Sequence, residues 1–431
     1  MRVTILTAGS RGDVQPYLAL GQGLRAAGHD VNLATHAVFK ELVAAAGLEF
    51  RLIELNPREM LGEARGQAWL DSGHNPLRFL RGLLEVLPPR LVGFLDQSWE
   101  VCQGSDAILY APLSMGGYHI AERLGVPGLL AALQPKRATR AYPNPFFPRL
   151  PLGGAYNLFT HSIPGLLGQL FGGALWNPIN TWRARTLKLP PISIAEFRRV
   201  HAERVPVLYG YSPSVVPRPA DWSAHVHVTG YWFFDRPSSW RPPADLVAFM
   251  EAGPPPVYLG FGSMPDRNAQ ATTEIILEAL RRAGRRGIVL TGWGGLQKSV
   301  LPESVFGIED IPHEWLFPQV AAVVHHGGAG TTAAGLRAGV PSVVVPFFGD
   351  QPFWGDQVAA LGVGPRPIPK KRLSVERLAT AIVAATGDAA MAGRAAALGR
   401  RIREERGVDE AVAAFHQHLS GRAGASRREG A

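Results

Sequence analysis

The chain has 431 residues, 46% hydrophobic and 18% charged, which is more than one ordinary core requires and points to two domains of about 200 residues each. A single cysteine, Cys102, excludes an internal disulfide and a thiolate metal cluster, and no uncharged apolar run reaches the roughly 18 residues of a spanning helix. The net charge of +9 admits an anionic ligand or an anionic membrane, but it forms no basic arm, so nucleic acid is not expected as a partner.

Residues 2–7 are rich in β-formers and run directly from the N-terminus into a polar loop, AGSRGD. No secretory leader is read there, so a cytoplasmic protein is expected, with contact at the inner membrane face left open. Val14, Tyr17, Leu18, Gly21 and Leu24 fall at helical spacing and predict a helix over 14–27, stopped by Gly28. Residues 31–35 read as the next strand, completing a βαβ unit. Residues 135–190 are less regular, with many Pro, Phe, Gly and Trp, and 231–246 reads as an interdomain linker. The same grammar then returns. A strand over 254–264 ends in a glycine loop, a helix follows around 270–283, and a strand lies over 287–293. Residues 321–332 run from a strand through a glycine loop into a helix, and 341–347 is the next strand. Residues 394–419 carry helical apolar spacing broken at Gly407. The fold class is α/β, with two doubly wound parallel-sheet domains, a cleft between them, and ligands at the carboxyl ends of the strands.

The strongest local signal is the run His325-His326-Gly327-Gly328-Ala329-Gly330-Thr331-Thr332. Its glycines let backbone approach a ligand, and the helix that follows offers unpaired amides and a positive dipole end, as a diphosphate requires. An imidazole there can donate to a phosphate oxygen; a capped helix after a tight turn is the plainer alternative. The run is neither a dinucleotide fingerprint nor a P-loop, so NAD and ATP lose ground. Asp350-Gln351 follows a strand about twenty residues later and can accept and donate hydrogen bonds to vicinal hydroxyls, as a sugar needs. In the first loop, Gly9-Ser10-Arg11-Gly12-Asp13, the carboxylate stands at a helix start, where it is either an N-cap or a general base. Tyr142, Phe146, Phe147, Tyr156, Phe159, Trp176 and Trp182 read either as packing or as an apolar acceptor surface. Arg137, Arg140, Arg149, Arg183 and Arg185 flank them and could meet lipid phosphates. No histidine or carboxylate spacing forms a metal motif, so no metal is expected.

Over 7–28, 259–264 and 311–365 the chain resembles the GT-B nucleotide-sugar glycosyltransferases, most of all the sterol 3-beta-glucosyltransferase branch, which is related to bacterial antibiotic glycosyltransferases. The resemblance implies a GT-B fold of two Rossmann-like domains facing a central cleft. It places an acceptor-binding domain over 1–235, a linker over 236–253 and a nucleotide-sugar-binding domain over 254–395. A terminal helix over 396–419 returns to the N-terminal domain, and 420–431 forms a flexible tail. It further implies inverting, metal-independent transfer of a hexose, glucose foremost, from UDP-glucose to a hydrophobic hydroxylated acceptor such as a sterol or hopanoid. The nucleotide sugar is a co-substrate, and no cofactor is implied. Asp13 matches the catalytic base. His326 and Gly328 match diphosphate contacts, with Gly330 and Thr331 completing the helix start. Asp350 and Gln351 match the pair that holds the sugar hydroxyls, and Ser263 matches a phosphate or ribose contact. Ser10 and Gly12 are further donor-side candidates, and Trp293 would flank the nucleotide base. A TDP-deoxysugar natural-product glycosyltransferase and a sugar-nucleotide 2-epimerase are the alternatives on the same scaffold.

Overall fold

Strands with an apolar residue at nearly every position, such as Val3-Thr4-Ile5-Leu6, bury both faces, which a parallel sheet covered by helices on each side allows. The computed structural model describes residues 1–53, 88–171, 173–235, 240–262, 268–291 and 301–429. It contains two compact units of this kind. The first is formed by Met1–Phe234 together with the chain from Arg406 onward, the second by Asp235–Glu405.

In the first unit, β1 (Arg2–Leu6), α1 (Arg11–Ala26), β2 (Asp30–Thr35), α2 (Lys40–Ala45) and β3 (Glu49–Leu52) come first. They are followed by α3 (Pro88–Val101), β4 (Ala107–Tyr110), α4 (Gly116–Leu124) and β5 (Gly128–Ala132). Three helices, α5 (Gly153–Phe171), α6 (Gly173–Trp182) and α7 (Ile194–Glu203), precede β6 (Val207–Tyr209) and β7 (Val226–Val228). All described pairings are parallel and the order is β3-β2-β1-β4-β5-β6-β7. Val3 stands opposite Val31 on one side and Ala107 on the other. The chain therefore winds outward from β1 in one direction and resumes from β4 in the other. This makes the loops after β1 and β4 a topological switch point, the usual ligand crevice of such sheets.

The second unit contains α8 (Ala244–Glu251), β8 (Val257–Gly260), α9 (Ala269–Ala283), β9 (Gly287–Leu290) and β10 (Val305–Ile308). It continues with α10 (His313–Leu316), β11 (Ala322–His325), α11 (Ala329–Ala338), β12 (Ser342–Val344), α12 (Gln351–Ala360), α13 (Val375–Gly387) and α14 (Ala389–Glu404). Its parallel order is β10-β9-β8-β11-β12, so its switch point lies between β8 and β11. Alternation along β8 divides the core. Val257 and Leu259 pack with Ile276, Val289 and Leu378, whereas Tyr258 packs with Ile288, Leu316 and Phe317 on the other face. Each such buried aliphatic side chain contributes about 1.5–3 kcal/mol relative to exposure.

Three expectations differ from what is observed. Residues 236–253 do not behave as a linker over their described part. There Pro243 caps the start of α8, and Leu246 is buried against Tyr258 and Ile288 in the second unit. Proline run and helix start look alike in sequence, because proline is tolerated where a helix amide needs no partner. The irregular region 135–190 holds α5 and α6, each with an internal proline, Pro164 and Pro178. Residues 396–404 belong to α14 of the second unit, and the chain enters the first unit at Arg406. The terminal helix α15 (Gly407–Glu429) buries Ala411 and Phe415, and Phe415 packs edge-on against His29. Among the described residues no helix is long and apolar enough to cross a membrane.

Candidate functional site

The loop after β1 is built around Gly9. Its φ of +139° is one that side chains rarely adopt, and a Cβ there would stand 2.5 Å from Asp13 Oδ2. The Asp13 carboxylate thus lies directly over the Gly9 α-carbon. Ser10, the N-cap of α1, donates to the same Oδ2 twice, from its backbone amide at 2.8 Å and from its hydroxyl at 2.9 Å. The Thr7 hydroxyl donates to the Asp13 carbonyl at 2.8 Å. Asp13 is therefore a half-buried, oriented carboxylate in the first turn of a helix, where the dipole favours negative charge. The helix-start carboxylate and the candidate base are one side chain. Ser10 and Gly12 both lie in the first unit on this loop, with the Ser10 hydroxyl turned onto Asp13 and Gly12 exposed beside it.

In the second unit, His326 sits where the loops after β8 and β11 meet. A Cβ on Gly328 would overlap its Nε2, and one on Gly262 would lie 3.0 Å from its Cε1. Two glycines thus make room for one imidazole. Burial pushes the His326 pKa down to about 4, so the ring is neutral at pH 7. Its Nδ1 is buried without a hydrogen-bond partner among the described residues. The preceding His325 serves the turn instead, since its Nδ1 accepts the Gly327 amide at 3.0 Å. Helix α11 begins at Gly328 with no side-chain cap, and the Thr332 amide is the one that bonds back to the Gly328 carbonyl. The amides of Ala329, Gly330 and Thr331 form the open first turn, and Gly330 and Thr331 are half-buried. An anion placed here would meet those amides and the positive helix end.

The loop after β12 completes the site. Asp350 stands at the N-cap position of α12 and accepts from Trp354 Nε1 at 2.9 Å. Gln351 is 5% exposed, and its carbonyl oxygen accepts the Phe347 and Phe348 amides at 2.7 and 3.2 Å. Gln351 therefore shapes the turn on which Asp350 is presented. Gly327 packs so closely on this segment that a Cβ would approach the Gln351 carbonyl to 2.9 Å. His326, Gly328, Gly330, Thr331, Asp350 and Gln351 are thus brought together at one sheet end, joined by Gly262. Ser263 and Trp293 lie outside the described residues.

The aromatic segment of the first unit divides in two. Trp182 donates to Asp96 at 3.0 Å and Trp176 to the Ile192 carbonyl, so these two rings are packing elements. Phe146, Leu150, Leu152, Phe159 and Leu166 are exposed, as are Leu113 and Met115 after β4. Two of the five flanking arginines, Arg183 and Arg137, are taken up inside the first unit. Arg183 is 1% exposed and bonds the Glu122 carboxylate and His119 Nδ1, each at 2.7 Å. Arg137 is spent on the His201 carbonyl and the His225 ring, whereas Arg185 pairs with Asp96 at 2.7 Å and stays exposed. Arg140 and Arg149 remain exposed.

Residues without a motif of their own also hold the site. Gly262 stands against His326, Trp354 orients Asp350, and His36, at the end of β2, accepts the Gly9 amide. Position at a strand's carboxyl end is the one sequence signal that could have flagged His36.

Residues 3–143 match the glycosyltransferase family 28 N-terminal domain, and residues 288–412 match the erythromycin biosynthesis protein CIII-like C-terminal domain. A sterol 3-beta-glucosyltransferase of Arabidopsis thaliana is 41% identical over 426 residues, which cover 97% of this chain and 68% of the plant protein. A sterol 3-beta-glucosyltransferase of Cryptococcus neoformans is 38% identical over 444 residues, covering 97% of this chain and 27% of the fungal one. The chain thus spans about a quarter of that fungal relative's length and about two thirds of the plant relative's. Among solved structures, the glycosyltransferase of kitacinnamycin has a TM-score of 0.71 at 22% identity, covering 97% of this chain and 99% of that one. The calicheamicin glycosyltransferase CalG4 has a TM-score of 0.68 at 18% identity, covering 97% of this chain and 98% of that one. At such identities the likeness is one of fold, and the fold is GT-B.

Proposed function

Because the chain belongs to the sterol 3-beta-glucosyltransferase family of glycosyltransferases, we propose that it moves glucose from UDP-glucose to the hydroxyl of a lipophilic acceptor such as a sterol or hopanoid. The observation that carries this reading is the His326 cradle, a buried neutral imidazole beside an uncapped helix start. That combination supplies donors to a diphosphate without competing charge. The second unit accordingly takes the nucleotide sugar and the first unit takes the acceptor.

In the proposed reaction Asp13 removes the proton of the acceptor hydroxyl as that oxygen attacks the anomeric carbon. A new carbon–oxygen bond forms while the bond from the anomeric carbon to the diphosphate oxygen breaks, and UDP leaves with the electron pair. One displacement inverts the anomer, giving a β-linked product from an α-linked donor. His326 and the amides of Ala329, Gly330 and Thr331 meet the charge that grows on the departing diphosphate. Asp350 receives sugar hydroxyls, and Gln351 acts through the turn it closes. The positive helix end and the imidazole take the place that a divalent cation fills elsewhere, so we read the transfer as metal-independent.

The lipophilic acceptor is supported by position. Leu113 and Met115 follow β4, and Phe146, Leu150 and Leu152 follow β5. In a parallel sheet these loops share the end from which Gly9 to Asp13 project. Exposed aliphatic and aromatic side chains at that end suit a sterol ring system better than a polar glycoside. The same residues, with Arg140 and Arg149, give the protein a face for peripheral contact at a cytoplasmic membrane surface, where such an acceptor resides.

The test is UDP release from UDP-glucose with a panel of sterols, hopanoids, flavonoids and macrolides in the presence of EDTA. Release that depends on a sterol or hopanoid is the expected result. Release only with a macrolide and a TDP-deoxysugar would move the chain to the antibiotic branch, and release without any acceptor would favour an epimerase or hydrolase.

A further inference from the structure

The Asp13 loop is held from beneath by a histidine that takes no part in the reaction described above. His36 is buried at the carboxyl end of β2, the strand paired with β1. The Gly9 amide donates to its Nε2 at 3.0 Å, and its Nδ1 lies 3.3 Å from the Ile53 carbonyl. A backbone amide can only donate and a carbonyl can only accept. The ring must therefore carry its proton on Nδ1 and present a lone pair at Nε2. Burial, its largest influence, lowers the His36 pKa and favours this neutral form, opposed by the bond to Ile53.

Gly9 in turn is the floor on which the Asp13 carboxylate rests, 2.5 Å from where a Cβ would stand. Ser10, the next residue, supplies both bonds to Oδ2. The position of Asp13 thus depends on where Gly9 and Ser10 are held. We propose that His36 is a positioning residue for Asp13, fixing through the Gly9 amide the loop that aims the carboxylate at the acceptor hydroxyl. This inference rests on the reading of Asp13 as the base and adds a residue to that assignment.

Two polar substitutions separate the two ring nitrogens. The amide of glutamine reaches the Nε2 position and can accept from Gly9. The amide of asparagine reaches only the Nδ1 position and keeps the Ile53 side. With UDP-glucose and cholesterol, H36Q should retain kcat within about threefold, whereas H36N should lose roughly 10- to 100-fold in kcat, the scale of a 1 Å misplacement, with KM for UDP-glucose unchanged. In the D13N background the two variants should be indistinguishable, because there is no carboxylate left to aim. Hydrogen exchange gives a readout without turnover: the Gly9 amide should exchange at least about tenfold faster in H36N than in H36Q. Equal kcat, or equal Gly9 exchange, in the two variants overturns the inference. A D13N enzyme with full turnover overturns the base assignment instead, and leaves the exchange comparison to decide whether His36 holds the loop.

Discussion

Two glycine-rich loops in this chain look alike in sequence, each running from a strand into a helix, yet they leave their helix starts in opposite states. After β1 the helix start is occupied from within. Ser10 and Asp13 bond each other across the first turn, so the positive helix end is matched by a carboxylate of the chain. After β11 the helix start carries no side-chain cap, and a buried imidazole stands beside it. On the proposed reading the first arrangement holds a base, and the second receives an anion from outside. The lesson is that the chemistry of a strand–glycine–helix turn is decided by what already satisfies its amides.

The sharpest way to break this comparison is to remove the charge from one loop and the donor from the other. D13N should lower turnover by about 10²–10⁴, the range for loss of a general base, while UDP binding stays within experimental error. H326A should do the reverse, raising the UDP dissociation constant at least about tenfold through loss of a charge-assisted bond. Steady-state kinetics and calorimetric titration with UDP read both. If D13N weakens UDP binding as much as H326A does, the two loops do not have separate roles.

Glycine replacements probe the same division with a smaller effect. In G9A the new Cβ would press on Asp13 Oδ2, and the backbone would keep a strained φ of +139°. In G328A the Cβ would press on His326 Nε2. Each overlap costs about 1–3 kcal/mol, or roughly a 5- to 150-fold effect if it is expressed at the site. G9A should lose kcat and G328A should lose UDP affinity. The opposite pattern would exchange the roles of the two loops.

The periodic parts of both units could be read in the sequence because burial in a parallel sheet leaves continuous apolar strands beside 3.6-residue helices. The glycine loops were legible for a related reason, since only certain residues fit a backbone that approaches a ligand or a neighbouring ring. What escaped depends on partners distant in sequence. Arg183 reads as a surface cation until Glu122 and His119 are seen to enclose it. Gln351 is a local case: it reads as a sugar ligand, and its carbonyl oxygen also accepts two amides of its own turn, which the dipeptide alone does not signal. His36 carries no motif, and its role appears only when β1 and β2 stand side by side. Residues 236–253 misled because a proline before a helix and a proline in a linker are locally identical.

The loops also differ in what lies behind them, and this gives the smallest expected effect. The first unit includes the terminal helix α15, which meets it through two histidine pairs. His29 and His416 approach at 2.7 Å between Nε2 atoms, and His227 and His418 at 2.9 Å. Each contact needs at least one unprotonated nitrogen. Burial lowers the pKa of His29, His227 and His418, with His416 and the N-terminus adding to the effect at His29. His227, facing His418, Arg218 and His225 as well, falls to about 4. Folded values below the unfolded value of about 6.5 mean that the unfolded chain binds more protons, so this stability is fully present above pH 6.5. It is lost as the pH falls from there toward about 4. Hydrogen exchange over 407–418 should therefore quicken between pH 7 and 5 relative to the β8–β12 sheet, with a melting temperature lower by a few degrees (about 2–4 °C for a ~1 kcal/mol change). H227Q/H418Q should flatten the difference. If the acid sensitivity persists in that variant, it arises from the His29–His416 pair or from buried groups elsewhere in the first unit, and the His227–His418 contact is not its source.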